Sequence, residues 1–189
     1  MSNKRGQLVI VSGPTASGKS TLWRRLLAHP RVRFSVSVTT RAPRKNEIDG
    51  RDYHFVDDAR FDQMIAQGEL LEWAEVHGRR YGTPRGPVVD AIDAGLDVVL
   101  EIDVQGAVSL RESGLPTISI FVAPPSREEL EQRLRARGTE TEEQMARRLT
   151  IVDQEMAAAS EYDHVVINDD LERMIAEVEA LLDLQPHEA

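Results

Sequence analysis

An octapeptide near the start of the chain carries residue types and a spacing suited to binding phosphate. It fits the pattern G-x-x-x-x-G-K-[ST] at every fixed position and consists of Gly13, Pro14, Thr15, Ala16, Ser17, Gly18, Lys19 and Ser20. Glycine lets backbone N–H groups approach an anion closely, and the start of a following helix adds a positive dipole end. In such a loop the lysine contacts the β- and γ-phosphates of a nucleotide, and the serine hydroxyl is a ligand for Mg²⁺. This octapeptide, called the phosphate loop below, predicts a nucleotide site.

The segments that flank the phosphate loop support this interpretation. The run Leu8-Val9-Ile10-Val11 before it is apolar and β-branched, as in a buried strand, and Leu22, Leu26 and Leu27 after it have helical spacing. A strand, a glycine loop and a helix in this order separate a phosphate site from a chance match. The plain alternative is a glycine turn that carries one exposed lysine.

Two acids lie at the end of a second apolar run, Val98 to Asp103. Glu101 and Asp103 are two residues apart and therefore point to the same side of a strand. In phosphate-loop enzymes an acid at such a strand end helps to hold the Mg²⁺ shell, and we assign this role to Asp103. The alternative for Asp103 is a solvated acid at a strand end.

The stretch 34–83 contains polar residues that are unsuited to a core, namely Ser37, Arg41, Arg44, Tyr53, Glu72, Tyr81 and Thr83. Arginine and tyrosine are good donors to a monoester phosphate. Glu72 lies among Leu70, Leu71 and Trp73, where a carboxylate can accept two N–H bonds from a planar base. Guanine offers such a pair of donors on one edge, and adenine does not. The alternative is that Glu72 is the outward residue of an alternating strand.

A third group of cations follows, on predicted helices. Arg133 and Arg137 are four residues apart and share a helix face, and Arg148 comes after a glycine turn. Our hypothesis is a mobile lid whose arginines neutralise the transferring phosphoryl group. For any single arginine, a solvated helix face balanced by neighbouring glutamates is the competing interpretation.

Composition limits the classes of partner. The chain has 189 residues, a net charge of −9 and no cysteine, which excludes disulfides, thiol catalysis and cysteine-bound metals. A nucleic-acid binder is normally basic, so we expect no nucleic-acid partner. The longest apolar runs are too short for a membrane span, and the polar start lacks a signal core, so we expect a cytoplasmic protein.

Buried strands that alternate with helices predict an α/β fold, a doubly wound and mostly parallel sheet. We divide it into a core (1–33, 84–125 and 150–189), an inserted mixed α/β lobe (34–83) and a helical lid (126–149). Within the lobe we predict a strand over Phe34–Thr40 and a turn at Tyr81–Pro84. Capping boxes start helices at Ser126 and Thr141, and Asp169 caps the last helix.

These motifs resemble those of the guanylate kinases, and the resemblance covers nearly the whole chain. The resemblance rests on G-P-x-x-x-G-K-S-T, S-V-S-x-T-T-R-x-P-R, L-L-E-W, Y-G-T, I-D-x-Q-G, A-P-P-S, R-G-T-E-T and V-x-x-N-D-D. It implies a three-layer P-loop NTPase fold and the transfer of a phosphoryl group from MgATP to GMP, and it leaves open whether dGMP is a further acceptor. Nothing in the sequence distinguishes a monomer from a homodimer.

The resemblance also implies roles for single residues. Ser37, Arg41, Arg44, Tyr53 and Tyr81 would hold the GMP phosphate, and Glu72, Thr83 and Glu101 would read guanine, with Asp103 beside the substrate. The phosphate loop with Thr21 would hold ATP, Asn168 would lie near its adenine, and Ser20 with Asp103 would hold Mg²⁺. Lys19, Arg133, Arg137 and Arg148 would serve catalysis.

Two positions depart from the family pattern, and two rival functions stay open. Arg80 replaces the first of two aromatic residues, and Glu101 stands where many members have aspartate. One rival is a kinase for another nucleoside monophosphate. The other is a non-catalytic guanylate-kinase-like module that binds peptides, against which the intact phosphate loop speaks.

Overall fold

The computed structural model describes residues 5–76, 78–102, 106–107, 110, 113–136 and 142–184. Three of the predicted features therefore lie outside the described residues: the Mg²⁺ ligand Asp103, the lid arginine Arg137 and the helix cap at Thr141.

The main sheet is parallel throughout its described strands, in the order β2-β7-β1-β8-β9. These strands are β1 (Leu8–Ser12), β2 (Val32–Phe34), β7 (Asp97–Glu101), β8 (Thr117–Ala123) and β9 (His164–Ile167). All five residues of β1 are buried, because the central strand of a parallel sheet is covered on both faces. The carboxyl ends of β1 and β7 lie side by side, with Val11 in register with Glu101.

Helices cover both faces of this sheet. On one face, α1 (Lys19–Leu26) and α6 (Leu171–Leu181) contribute Leu22, Leu26, Met174 and Val178 to an apolar cluster with β1. On the other face, α3 (Arg85–Asp93) packs Val88 and Ile92 against Leu8 and Ile10. The three layers confirm the predicted α/β fold class.

A second, smaller sheet is mixed and has the order β4-β3-β6-β5. Its strands are β3 (Val38–Thr39), β4 (His54–Phe55), β5 (Leu70–Val76) and β6 (Arg79–Pro84), and α2 (Asp58–Ala66) packs Phe61 and Met64 against it. Two further helices, α4 (Arg127–Ala136) and α5 (Glu142–Ala157), share a cluster of Leu130, Leu134, Met145 and Val152, and a 3₁₀-helix covers Ala158–Glu161. The exact division into core, lobe and lid stays a prediction.

The single strand expected over Phe34–Thr40 is wrong. Phe34 ends β2 in the main sheet, and β3 of the small sheet begins only at Val38. The chain changes sheets between them, and the Ser35 N–H still donates to the Val99 carbonyl at 3.1 Å. Alternation of apolar and polar residues indicates which faces are buried, but it does not say which sheet receives each residue.

The turn expected at Tyr81–Pro84 is also wrong, because these residues belong to β6. Gly82 is paired on both sides, with Val38 and with Trp73. A Cβ atom on Gly82 would lie 2.9 Å from Leu70 Cδ1, so this glycine permits close packing inside a strand.

The predicted cap of the last helix is off by one residue. The Asp170 carboxylate accepts from the Arg173 N–H at 2.8 Å and caps α6, while Asp169 is ion-paired with the Arg173 guanidinium. The cap predicted at Ser126 is confirmed, since its hydroxyl accepts from the Glu129 N–H at 3.1 Å. In the part of the chain that the structure describes, we find no helix that could span a membrane.

Candidate active site

The phosphate loop follows β1 and takes a backbone path that only glycine permits at two points. Gly13 has φ +138°, and a Cβ atom there would lie 2.3 Å from the Val122 carbonyl oxygen. Gly18 has φ +106° and is the N-cap residue of α1. Its added Cβ would lie 2.1 Å from Asn168 Nδ2. The loop therefore turns between β8 and the end of β9 toward the start of a helix, the arrangement that binds anions.

Lys19 is bent back over its own loop. Its ammonium group donates to the carbonyl oxygens of Gly13 at 2.5 Å and Pro14 at 2.9 Å. Thr15, Lys19 and Ser20 line one open pocket of the protein. Ala16 packs against the α4–α5 cluster, and Thr21 is exposed in the first turn of α1. Thr15, Lys19 and Ser20 of the phosphate loop thus face the same pocket.

Asn168 connects the loop to two other elements. Its buried side chain donates from Nδ2 to the Ser17 carbonyl at 2.7 Å, and its own N–H donates to the Ala123 carbonyl at 2.8 Å. Arg133 on α4 donates to the Asn168 carbonyl at 3.0 Å and to the Glu129 carboxylate at 3.1 Å. The structure therefore brings the first lid arginine to the strand end that supports the loop.

Glu101 faces α1 from the end of β7. Its carboxylate oxygens each lie 3.3 Å from the Ser20 hydroxyl, and the Trp23 indole N–H donates to one of them at 2.5 Å. Trp23 itself stacks on Phe34, with ring centroids 4.3 Å apart. Only the general tendency of indole N–H groups to find a partner pointed to its polar contact.

The donor set at this point suits a small hard cation. The Ser20 hydroxyl and the Glu101 carboxylate can both supply oxygen ligands, and they lie 3.3 Å apart. No group of three or more His, Asp or Glu residues that could hold a metal ion occurs among the described residues. Mg²⁺ in phosphoryl transfer uses one or two protein ligands beside substrate phosphates and water, so the residues fit it.

A second pocket of about 250 Å³ lies against the small sheet. Glu72 on β5 lines this pocket and is in register with Thr83 on β6, whose hydroxyl donates to the Glu72 carboxylate at 2.6 Å. Glu72 is 9% exposed and Thr83 is fully buried. A buried carboxylate that lines a pocket selects ligands with N–H donors. The outward orientation considered for Glu72 is thereby excluded.

Two tyrosines form the wall of this pocket. Tyr53 and Tyr81 meet edge to face with ring centroids 5.9 Å apart, and Ser37 lies beside them. Burial raises the pKa of the Tyr53 hydroxyl, so Tyr53 is a neutral donor throughout the physiological range.

Arg41 is held in place by a carboxylate that we did not predict. Its guanidinium makes two bonds to Glu47, of 2.9 and 2.8 Å, and lies 5.3 Å from the Tyr53 ring centroid. The Arg44 N–H also donates to Glu47, at 2.7 Å. The bond to Glu47 raises the pKa of Arg41, and the bond to Arg41 lowers the pKa of Glu47. The sequence gave no signal for this pair, because residues 41–47 lie in neither a helix nor a strand.

One pocket of about 570 Å³ joins the two regions. Its lining includes Lys19 and Ser20 from the phosphate loop together with Ser37, Arg44 and Tyr53 from the lobe. Glu101 lines both this pocket and the smaller one. Three further charged residues of the lining, Arg24, Asp52 and Glu155, were not predicted from the sequence.

The lid arginines are not among the described residues that line this joint pocket. Arg133 is bound to Asn168, as described above, and Arg148 lies half-buried on α5. Their placement around a transferring group therefore stays a prediction.

Arg80, a departure from the family pattern, connects the small sheet to α2. Its guanidinium bonds Asp58 at 2.7 Å and Asp62 at 2.5 Å and lies 4.7 Å from the Phe61 ring centroid. Arginine in place of an aromatic residue thus forms ion pairs between β6 and α2. Arg80 is not among the described residues that line the smaller pocket.

Comparisons with known proteins agree with this geometry. The family model described as "Guanylate kinase" matches residues 5–185. The chain is 50% identical over 184 residues to the guanylate kinase of Symbiobacterium thermophilum, covering 96% of this chain and 87% of that one. It is 53% identical over 171 residues to the Nocardia farcinica guanylate kinase, covering 89% of each. The crystal structure of guanylate kinase from Anaplasma phagocytophilum has a TM-score of 0.75 at 35% identity, covering 98% of this chain and 89% of that one.

Proposed function

The chain belongs to the guanylate kinase family, and from this premise we propose that it transfers the γ-phosphoryl group of MgATP to GMP, giving ADP and GDP. The single observation that carries the proposal is the joint pocket. Lys19 and Ser20 from a phosphate loop face the same space as Ser37, Arg44 and Tyr53. Two anionic nucleotides can therefore meet there end to end.

ATP binds at the phosphate loop in this proposal. The loop N–H groups and Lys19 hold the β- and γ-phosphates, and Lys19 exchanges its two carbonyl partners for phosphate oxygens. Asn168 keeps the Ser17 carbonyl in place and thereby maintains the loop. Ser20, with Glu101 behind it and Asp103 as a further candidate, would hold Mg²⁺, which neutralises charge on the phosphates when bound.

GMP binds in the smaller pocket. Glu72 accepts the two guanine donors with its carboxylate, and Thr83 fixes the rotamer of that carboxylate. Ser37, Arg41, Arg44, Tyr53 and Tyr81 donate to the monoester phosphate, and Glu101 lies between the base pocket and the loop.

The chain needs no general base for this transfer. The attacking phosphate oxygen of GMP is already an anion, so the residues act by alignment and by neutralising charge. Lys19 serves the transferring group from the loop, and Arg133, Arg137 and Arg148 would reach it from the lid. Closing both sides over the pocket would exclude water that otherwise hydrolyses ATP.

A coupled assay with MgATP and a panel of GMP, dGMP, AMP, UMP and dTMP tests the proposal. We expect GMP to be the preferred acceptor by at least about a hundredfold over AMP. Comparable rates with AMP would indicate another nucleoside monophosphate kinase. No transfer to any acceptor would indicate the peptide-binding module, which the family comparisons disfavour. The cytoplasm as compartment, and a monomer or a homodimer as assembly, remain predictions.

A further inference from the structure

We infer that Trp23 is a positioning residue that holds Glu101 toward the phosphate loop and so sets the affinity for the magnesium complex of the bound nucleotide. The inference rests on the proposed function, because it assigns a purpose to the same nucleotide site. It differs from the family-based expectation, in which the acid at this position reads guanine.

Among the described residues, the hydrogen bonds to Glu101 come from one helix. Ser20 and Trp23, its two partners, lie three residues apart on α1 and therefore on the same helix face. The buried carboxylate Glu72 is bound instead to Thr83 of the small sheet. Of the two acids near the base pocket, Glu72 thus bonds the small sheet, and Glu101 bonds the helix that follows the phosphate loop.

The indole of Trp23 is itself immobilised by its neighbours. It stacks on Phe34 at an interplanar angle of 21°, and the Arg24 guanidinium lies 5.2 Å from its ring centroid. Phe34 ends β2, which pairs with β7, the strand that carries Glu101. The N–H therefore approaches the carboxylate from a direction that the sheet and the helix fix together. Rotating the indole away would break the aromatic stack.

The contact of Glu101 with Ser20 and Trp23 depends on the length of the glutamate side chain. An aspartate at position 101 would be one methylene shorter and would end farther from both Ser20 and Trp23. Groups that orient an oxygen ligand by a hydrogen bond typically contribute about ten- to a hundredfold to metal affinity or activity. The Trp23 indole N–H orients the Glu101 carboxylate in this way, and that carboxylate contacts the Ser20 hydroxyl.

The test compares two matched substitutions, because the chain has two tryptophans. Trp23→Phe keeps a stacking ring and removes the N–H. Trp73→Phe makes the same change at an exposed residue of β5. Calorimetric titration measures the Kd of ADP with Mg²⁺, the Kd of ADP with a chelator, and the Kd of GMP. These equilibrium values require no turnover.

We expect Trp23→Phe to raise the Kd of ADP with Mg²⁺ about tenfold. The Kd of ADP with the chelator and the Kd of GMP should stay within about twofold, and Trp73→Phe should leave all three unchanged. A merely structural role would change both ADP values alike. A rise in the GMP value alone would show that Glu101 serves the base. Either result overturns the inference.

Glu101→Gln supplies a second route, which works even if Trp23→Phe folds poorly. It retains the side-chain length and removes the charge, so it should lose the same magnesium-dependent affinity. In a double-mutant cycle, Trp23→Phe should add little to Glu101→Gln, because both act through one carboxylate. Additive losses overturn the inference. None of these outcomes bears on whether the unaltered chain phosphorylates GMP, which the acceptor panel decides separately.

Discussion

The phosphate loop and the small sheet both present groups for phosphate, but they are built differently. The loop relies on backbone, with Gly13 and Gly18 at positive φ and a short strand and helix on either side. The small sheet relies on side chains, and its main cation, Arg41, is already bound to Glu47 and covered by Tyr53. One site is specified by adjacent residues, and the other by contacts between separate segments.

This difference indicates how each site tolerates change. A backbone site fails when one residue cannot take the required dihedral angles, whatever surrounds it. A side-chain site fails in steps, because each donor is oriented by its own partner. The following substitutions test that distinction.

Lys19→Ala should have the largest effect. Removing the only ammonium of the loop should lower kcat by at least about a thousandfold, since charge on the transferring group would go unneutralised. The melting temperature should stay within a few degrees, because the Lys19 contacts are to its own loop. Steady-state kinetics and thermal unfolding measure the two quantities. Near-normal turnover would contradict the proposed role of the loop.

Glu72→Gln should come second. The amide offers one acceptor and adds a donor where guanine presents donors, so kcat/KM for GMP should fall about a hundredfold or more. The already low rate with AMP should not fall. Glu75→Gln, the same change at an exposed residue of the same strand, is the control and should be silent. Equal losses for GMP and AMP would mean that Glu72 supports the sheet and does not read the base.

Gly18→Ala should follow, and it tests the backbone character of the loop. At φ +106° and with Asn168 in the way of a Cβ atom, the substitution should cost about 1–3 kcal/mol of stability. It should also weaken ATP binding about tenfold or more, because the loop N–H groups would move. Denaturant unfolding and calorimetry provide the measurements.

Two other glycines are controls for Gly18→Ala. Gly68→Ala tests positive φ without a clash, since φ is +66° and no atom lies within 4 Å of the added Cβ. Gly86→Ala in α3 meets neither problem and should be neutral or stabilising by up to about 1 kcal/mol. A loss at Gly86 as large as that at Gly18 would argue against a specific role for the loop geometry.

Glu47→Gln should have the smallest effect on activity, raising KM for GMP several-fold because Arg41 loses its ionic partner. Stability should change with a defined sign. The pKa of Glu47 is lowered in the folded chain, so its stabilising contribution is present above the ordinary carboxyl range and is lost as the pH falls through the lowered pKa.

Melting temperatures measured from neutral to acid pH check this dependence. The unaltered chain should melt above the Glu47→Gln variant at neutral pH, and the two curves should converge in acid. A difference that persisted in acid would show that the carboxylate charge is not the cause. A variant with tighter GMP binding would show that Glu47 competes with the phosphate and does not orient Arg41.

Much of the fold and of the phosphate site could be predicted because the information is local. The central strands of the main sheet appear as apolar runs, and the cap at Ser126 is a four-residue pattern. The two sheet assignments that failed, Phe34–Thr40 and Tyr81–Pro84, depend on which strand lies alongside. Gly82 and Pro84 in β6 are typical turn residues, and only the strands paired with β6 on both sides show that they belong to a strand.

The residues that reach the candidate site were mostly predicted, but their partners were not. Glu47, Trp23 and the separation of Glu72 from Glu101 became visible only with side chains placed. The resemblance to a family supplied roles by position, and position does not say which neighbours a side chain such as Glu101 bonds.

The sequence by itself determined the phosphate loop, since eight adjacent residues contain its glycines, its lysine and its hydroxyl. It also determined the alternation of strands and helices around that loop. Only the tertiary structure decided that Glu101 points to Trp23, that Arg80 joins β6 to α2, and that the loop and Tyr53 line one pocket. Backbone dihedral preferences act between neighbours in sequence, whereas the choice of a hydrogen-bond partner depends on segments that meet only after folding.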